Sequence, residues 1–88
     1  YQTELLAPYP NPFNPSTTID FSLIENHDNL SIKIYDIRGR LVENLYSGFM
    51  PYGYHTIIWN ASNFASGIYF VNMIAGDNIF NKKITLLK

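Results

Sequence analysis

The sequence predicts an all-β fold, a small β-sandwich of about seven extended segments, and three observations carry that expectation. Apolar and polar residues alternate with period two over most of the chain, as in strands with one face buried and one face wet. Turn-forming clusters recur at roughly 8–12-residue spacing, the signature of sandwich folds. No window places apolar residues at i, i+3, i+4 and i+7 over enough turns for an amphipathic helix of useful length.

The segments follow in order. The chain opens at Tyr1 without an initiator methionine or a signal peptide, so residues 1–8 are expected to be a linker from a longer parent and residues 9–88 the folded domain. Residues 9–19, YPNPFNPSTTI, run three X-Pro steps into a β-branched stretch. Proline fixes φ, donates no hydrogen bond and biases the residue before it toward extended backbone, so Tyr9, Asn11 and Asn14 are expected to be extended. Pro10, Pro12 and Pro15 exclude a helix or a central strand and leave a stiff leader that crosses a sheet edge.

Residues 17–23 put Ile19, Phe21 and Leu23 on one face and Thr18, Asp20 and Ser22 on the other. The polar bridge 25–29 reads as a turn, and 30–35 repeats the alternation with Leu30, Ile32 and Ile34 inward. Residues 36–39 form a tight turn with Gly39 available for positive φ. Residues 40–46 read as a short or irregular strand and 47–53 as a loop. Residues 54–60 resume a strand with His55, Ile57 and Trp59 on one face. Residues 61–67 connect, Gly67 releases the chain into 68–75, residues 76–78 are a hairpin signal, and 79–87 is the last strand.

Eighty-eight residues make one domain, large enough for a small sandwich but not for a deep enzyme cleft. The hydrophobic content of 47%, with 16% aromatic, argues against disorder. A net charge of −1 gives no general attraction to nucleic acid or to anionic membranes. There is no cysteine, hence no disulfide and no thiolate metal site, and no apolar run long enough to span a membrane. Charge is uneven: residues 82–88 hold Lys82, Lys83 and Lys88 and no acid, whereas the first 81 hold three basic residues against seven acids. These lysines read either as guards of an exposed edge strand or as a basic recognition tag.

Catalysis has little to stand on. His27 and His55 lie apart, one in a polar turn and one in a strand, where packing is the favoured role. No metalloprotease helix motif, phosphate-cradling glycine loop or nucleophile elbow is present, and none of the six serines has a base beside it in sequence. Glu25 and Asp28, in an Asn-rich turn, could offer oxygen ligands to Ca²⁺, but a loop glycine and a bidentate acid are missing and a solvated turn is favoured. Tyr46, Phe49, Tyr52, Tyr54 and Trp59 could form a sugar-stacking platform, yet Trp59 follows the inward pattern of Ile57 and filling the core is favoured. The rings are not interleaved with basic residues, which argues against nucleic-acid binding.

Four motifs occur together and in order: YPNPFNPSTTIDFSL over 9–23, IKIYDIRGRLVENL over 32–45, GYHTIIWNASNFASGIYF over 53–70, and KKITLLK over 82–88. Together they closely resemble the C-terminal sorting domain (type A) of the type IX, or Por, secretion system of Bacteroidetes and relatives. The immunoglobulin-like domain of flagellar hook-capping proteins is similar through IYDIRGRLV and GYHTIIW, but the short NASNFASGIYF link fits the sorting domain better.

The resemblance implies an immunoglobulin-like β-sandwich of about seven antiparallel strands acting as a non-catalytic C-terminal secretion signal. It implies as partners an outer-membrane secretion machinery, a sortase-like peptidase that removes the domain, and a covalently linked N-terminal cargo. It implies export through the periplasm to the cell surface or extracellular space, with no cofactor, no metal and no membrane insertion, as a monomer. The positions it marks for translocon recognition are Pro10, Asn11, Pro12, Gly67, Tyr69, Lys82, Lys83 and Lys88. Gly67 also suits backbone freedom alone, and Tyr69 packing alone. Lys82 and Lys83 fall on opposite faces of a strand, Lys82 sharing a face with Lys88, and a lysine-guarded edge strand suits β-augmentation by the machinery. The alternative reading is a carbohydrate-binding or spacer module of a cell-surface enzyme, motivated by the aromatic residues 46–59.

Overall fold

The period-two pattern becomes seven strands in the computed structural model, which describes residues 2–88. They are β1 (Glu4–Leu5), β2 (Ser16–Leu23), β3 (His27–Asp36), β4 (Leu41–Met50), β5 (Gly53–Asn60), β6 (Gly67–Ala75) and β7 (Asn78–Leu86). A three-stranded sheet in the order β1-β2-β5 faces a four-stranded sheet in the order β4-β3-β6-β7, and all strand pairs are antiparallel. The expected all-β sandwich of seven antiparallel strands is the observed fold.

The inward residues are those that alternation selects. Ile19, Phe21 and Leu23 of β2 meet Leu30, Ile32 and Ile34 of β3, with Val71 and Met73 of β6 and Ile84 and Leu86 of β7, all buried. Trp59 fills one end of the core. Its ring lies 5.7 Å from Phe13, 5.8 Å from Phe64 and 5.4 Å from Tyr69 between centroids. Its indole N–H, which burial would otherwise orphan, donates to Glu43 Oε1 at 2.9 Å. His55 stacks on Phe21 at 5.3 Å and its Nε2 lies 2.7 Å from Pro51 O, a packed histidine as alternation suggested.

Two turns show their chemistry plainly. Between β6 and β7, Ala75 pairs with Asn78 across a two-residue loop in which Gly76 has φ +61° and Asp77 does not have positive φ. This is the type II′ arrangement, whose first central position favours glycine. Between β3 and β4, Gly39 N donates to Asp36 O at 3.0 Å with Gly39 at φ +80°. The Asp36 carboxylate then accepts from Arg38 N at 2.9 Å, from Arg40 N at 3.0 Å and from Arg40 Nε at 3.0 Å.

The structure corrects four boundaries. The expected linker 1–8, whose first residue lies outside the described residues, contains β1: Glu4 and Leu5 pair with Ser22 and Phe21, and Leu5 is buried in the core. The sandwich therefore starts before residue 9. The leader 9–15 is bent rather than extended, and its three X–Pro bonds are cis. β3 begins at His27, inside the expected turn, because β4 runs on to Met50 and gives it a partner there. β4 is longer than expected because register shifts absorb residues that break its alternation, leaving only Pro51 and Tyr52 between it and β5.

The Asp36 turn makes a pH prediction. The Arg40 N–H above all, with the Arg40 guanidinium and the Arg38 N–H, holds the Asp36 carboxyl below its ordinary value, against a smaller opposing effect of desolvation. A folded pKa below the unfolded one contributes stability that is present above the ordinary carboxylate value and is lost as pH falls through the folded pKa. In an NMR titration the Arg38 and Arg40 amide resonances should shift together with the Asp36 carboxyl carbon, at a midpoint below that of an unperturbed Asp. A midpoint at or above the ordinary value contradicts the turn geometry.

Candidate functional site

The leader joins the two sheets at one end of the sandwich. It leaves the three-stranded sheet at Tyr9, whose N–H donates to Thr18 O at 3.0 Å and whose C=O accepts from Thr18 N at 2.7 Å. The Tyr9 hydroxyl donates to Asp20 Oδ2 at 2.9 Å, and this carboxylate holds the phenol above its ordinary pKa. Thr56 Oγ1 donates to the other oxygen of Asp20 at 2.7 Å. One residue on, Pro10 O accepts from the buried Thr17 hydroxyl at 2.9 Å.

The chain then crosses to the outer edge of β7, where Lys83, Thr85 and Leu87 turn backbone groups away from β6. Phe13 N donates to Thr85 O at 2.9 Å and Leu87 N donates to Phe13 O at 3.0 Å, a parallel bridge centred on Phe13 and Leu86. Pro10 and Pro12 have no N–H to offer, and the Asn11 side chain substitutes for a peptide group. Its Nδ2 donates to Lys83 O at 3.1 Å and its Oδ1 accepts from Thr85 N at 2.9 Å. The Phe13 ring enters the core beside Trp59 and is 2% exposed.

The residues marked by the sequence fall into place around this junction. Pro10, Asn11 and Pro12 are exposed and lie along the end of β7. Gly67, the first residue of β6, pairs with Leu86. Tyr69 is a core residue, edge-on to Trp59, with its hydroxyl donating to Ala65 O at 2.6 Å. Lys88 is fastened to the 61–66 loop: its N–H donates to Ser66 Oγ at 2.9 Å and its Nζ to Ser62 O at 2.7 Å.

The three tail lysines do not form one patch. Lys83 is exposed on the outer face of the four-stranded sheet. Lys82 has the parity of Ile84 and Leu86 and is half-buried, lining a cleft of about 600 Å³ between β1 and β7 with residues that include Thr3, Leu5 and Phe80. Lys88 lies beyond the end of β7, so strand parity no longer relates it to Lys82. The expected open edge for β-augmentation is also corrected: from Lys83 to Leu87 the leader already occupies it.

The aromatic residues 46–59 do not make one platform. Trp59 is inside, and the Tyr46 hydroxyl donates to Phe49 O within β4. Phe49 lies in the four-stranded sheet and Tyr54 in the three-stranded one, with Tyr52 between them. What the sequence reading missed is Phe13, whose one available signal was an apolar ring set between prolines.

The family described as "Secretion system C-terminal sorting domain" matches residues 7–87. No curated protein sequence matches the chain. Among solved structures, the chain is similar to PorZ, described as an essential bacterial surface component of the type-IX secretion system of Porphyromonas gingivalis. The TM-score is 0.62 at 24% identity, over 98% of this chain and 11% of PorZ, and this likeness bears on the fold.

Two substitutions separate the components of the junction. Phe13→Ala should lower the unfolding free energy by about 3–5 kcal/mol, the usual loss for a buried phenylalanine, measured by urea denaturation. Asn11→Ala, at an exposed position, should cost only about 1–2 kcal/mol but speed amide exchange at Thr85 more than at Ile84. Equal exchange at the two amides in the variant would show that the Asn11 side chain does not hold this edge.

Proposed function

Because the chain belongs to the family of secretion system C-terminal sorting domains, we propose that it is a folded, non-catalytic signal that sends a covalently attached cargo protein across the outer membrane through the type IX system. The observation that carries this reading is the extent of the family match, residues 7–87, which takes in the leader, the core strands and the tail as one unit. The cargo precedes the domain, passes through the periplasm, and reaches the cell surface or the extracellular space. A sortase-like peptidase then removes the domain, which acts as a monomer and brings no cofactor.

The leader–β7 junction supports this reading physically. Several positions the family resemblance marks are fixed in the folded structure rather than strung along a flexible tail: Asn11 bonds Lys83 and Thr85, Gly67 pairs in register with Leu86, and Lys88 bonds Ser62 and Ser66. The machinery is therefore proposed to read the folded end of the sandwich. Burial of Trp59 leaves the sugar-binding alternative without its strongest stacking ring, and that reading is not carried further.

Residues 1–88 fused behind a reporter carrying a Sec signal should place the reporter outside the cell in a type IX-competent bacterium. Retention in the periplasm would sink the reading. Deleting residues 82–88 is a poor test of the tail, since it removes Ile84 and Leu86 from the core. Lys82→Ala with Lys88→Ala is the cleaner pair: export should fall while the urea midpoint of the domain changes little, and unchanged export would remove these lysines from the recognition site.

A further inference from the structure

Antiparallel sheets of a sandwich bury one face and wet the other, so their outer faces are ordinarily polar. The three-stranded sheet obeys this in its central strand β2, which turns Ser16, Thr18 and Asp20 outward, while its edge strand β5 turns out Tyr54 and Ile58 beside Thr56 and Asn60. The four-stranded sheet does not. Its central strands β3 and β6 alternate with the buried Ile32, Ile34, Val71 and Met73 and so turn Tyr35, Ile68, Phe70 and Ile74 outward. All four are half-buried, and the same strands turn Ser31, Lys33 and Asn72 outward among them. Register aligns Leu41, Tyr35, Phe70 and Lys83 in one row across all four strands. The next row is polar, with Lys33 between Asn44 and Asn72 and Asn72 bonded to Asn81, and in the row beyond it Ile74 lies beside Ile79, which is 64% exposed. The face spans roughly 14 by 20 Å from ordinary strand spacing and rise.

Lys33 and Lys83 border the aromatic pair Tyr35 and Phe70, and no carboxylate is in register with these four residues on this face. Glu43 is paired with the inward Ile34 and is bonded to Trp59, and Asp36 is engaged by its own turn. Neither lysine has an ion-pair partner among the described residues. Lys83 is moreover held in position, because its carbonyl is bonded by Asn11.

We propose that the outer face of the four-stranded sheet is the surface through which the domain docks on a partner protein presenting an apolar patch bordered by carboxylates. This rests on the sorting-signal reading and deepens it by naming the surface and the chemistry of the machinery component that fits it. Aromatic and aliphatic side chains set beside two lysines have the composition of a protein interface. Anionic lipid is the weaker match, since a flat sheet with two lysines and a net charge of −1 offers little attraction to a membrane surface.

The test uses the reporter fusion of residues 1–88. The double variant Lys33→Glu with Lys83→Glu should reduce the exported reporter by about tenfold or more, from like-charge repulsion at the rim. Lys33→Arg with Lys83→Arg, and Ile58→Glu on the outer face of the other sheet, should export like the unmodified fusion. Circular dichroism melts of the domain monitor the fold, and if the reversed pair melts lower, Lys33→Gln with Lys83→Gln takes its place under the same readings. Undiminished export by a charge-altered pair, or equal loss with Ile58→Glu, overturns this face and leaves the sorting reading standing. Periplasmic retention of the unmodified fusion overturns both. Sedimentation of the domain with vesicles of equal parts phosphatidylcholine and phosphatidylglycerol, abolished by charge reversal, overturns the protein partner in favour of anionic lipid.

Discussion

The outer edge of β7 has to be closed, and the leader closes it. An edge strand carries a row of unpaired N–H and C=O groups, and in this sandwich that row lies beside the largest ring of the core. Phe13 meets both demands at once, its backbone bonding Thr85 and Leu87 while its ring packs on Trp59. Burying such a ring is worth about 2–3 kcal/mol before any cavity effect. Without it, Trp59 would lose one of its ring contacts and the β7 edge at Leu86 would stand open. The prolines around Phe13 cannot donate to the edge, and the Asn11 amide makes up the difference with one donor and one acceptor in place of a peptide group.

The two outer faces of the molecule differ in their central strands. On one, Asp20 is saturated by Tyr9 and Thr56, with Tyr54 and Ile58 exposed on the neighbouring β5. The other turns half-buried Tyr35, Phe70 and their aliphatic neighbours outward from its central strands. The tail is likewise built into the fold. Lys82 and Lys88 are parts of the folded structure, one lining a cleft and the other tethered to a loop, and the tail is not a continuous run of charge.

Strands with regular alternation were legible from the residues alone: β2, β3 and β5 place inward the side chains that period two assigns to them. Legibility failed where period two could not operate. β1 has two residues, too few to show any period. β4 contains register shifts that put consecutive residues out of phase, so its second half looked like a loop. The leader announced its stiffness through Pro10, Pro12 and Pro15, but proline content says nothing about where a stiff segment leads. The bonds that define the junction join residues 72 and 74 positions apart, and two of them use the Asn11 side chain in place of backbone. Alternation did separate Lys82 from Lys83; it could not follow Lys88 past the end of the strand.

Pairing the leader with the last strand also sets a clock. Residues 10–13 leave the ribosome early, while the edge they bond is made more than seventy residues later. Until then Phe13 has no neighbour to pack on at the β7 edge, and long-range closure of this kind comes late in assembly. A truncated product lacks the partner strand and exposes an open edge instead of a finished sandwich. The folded domain is thus a record that translation ran through to residue 87.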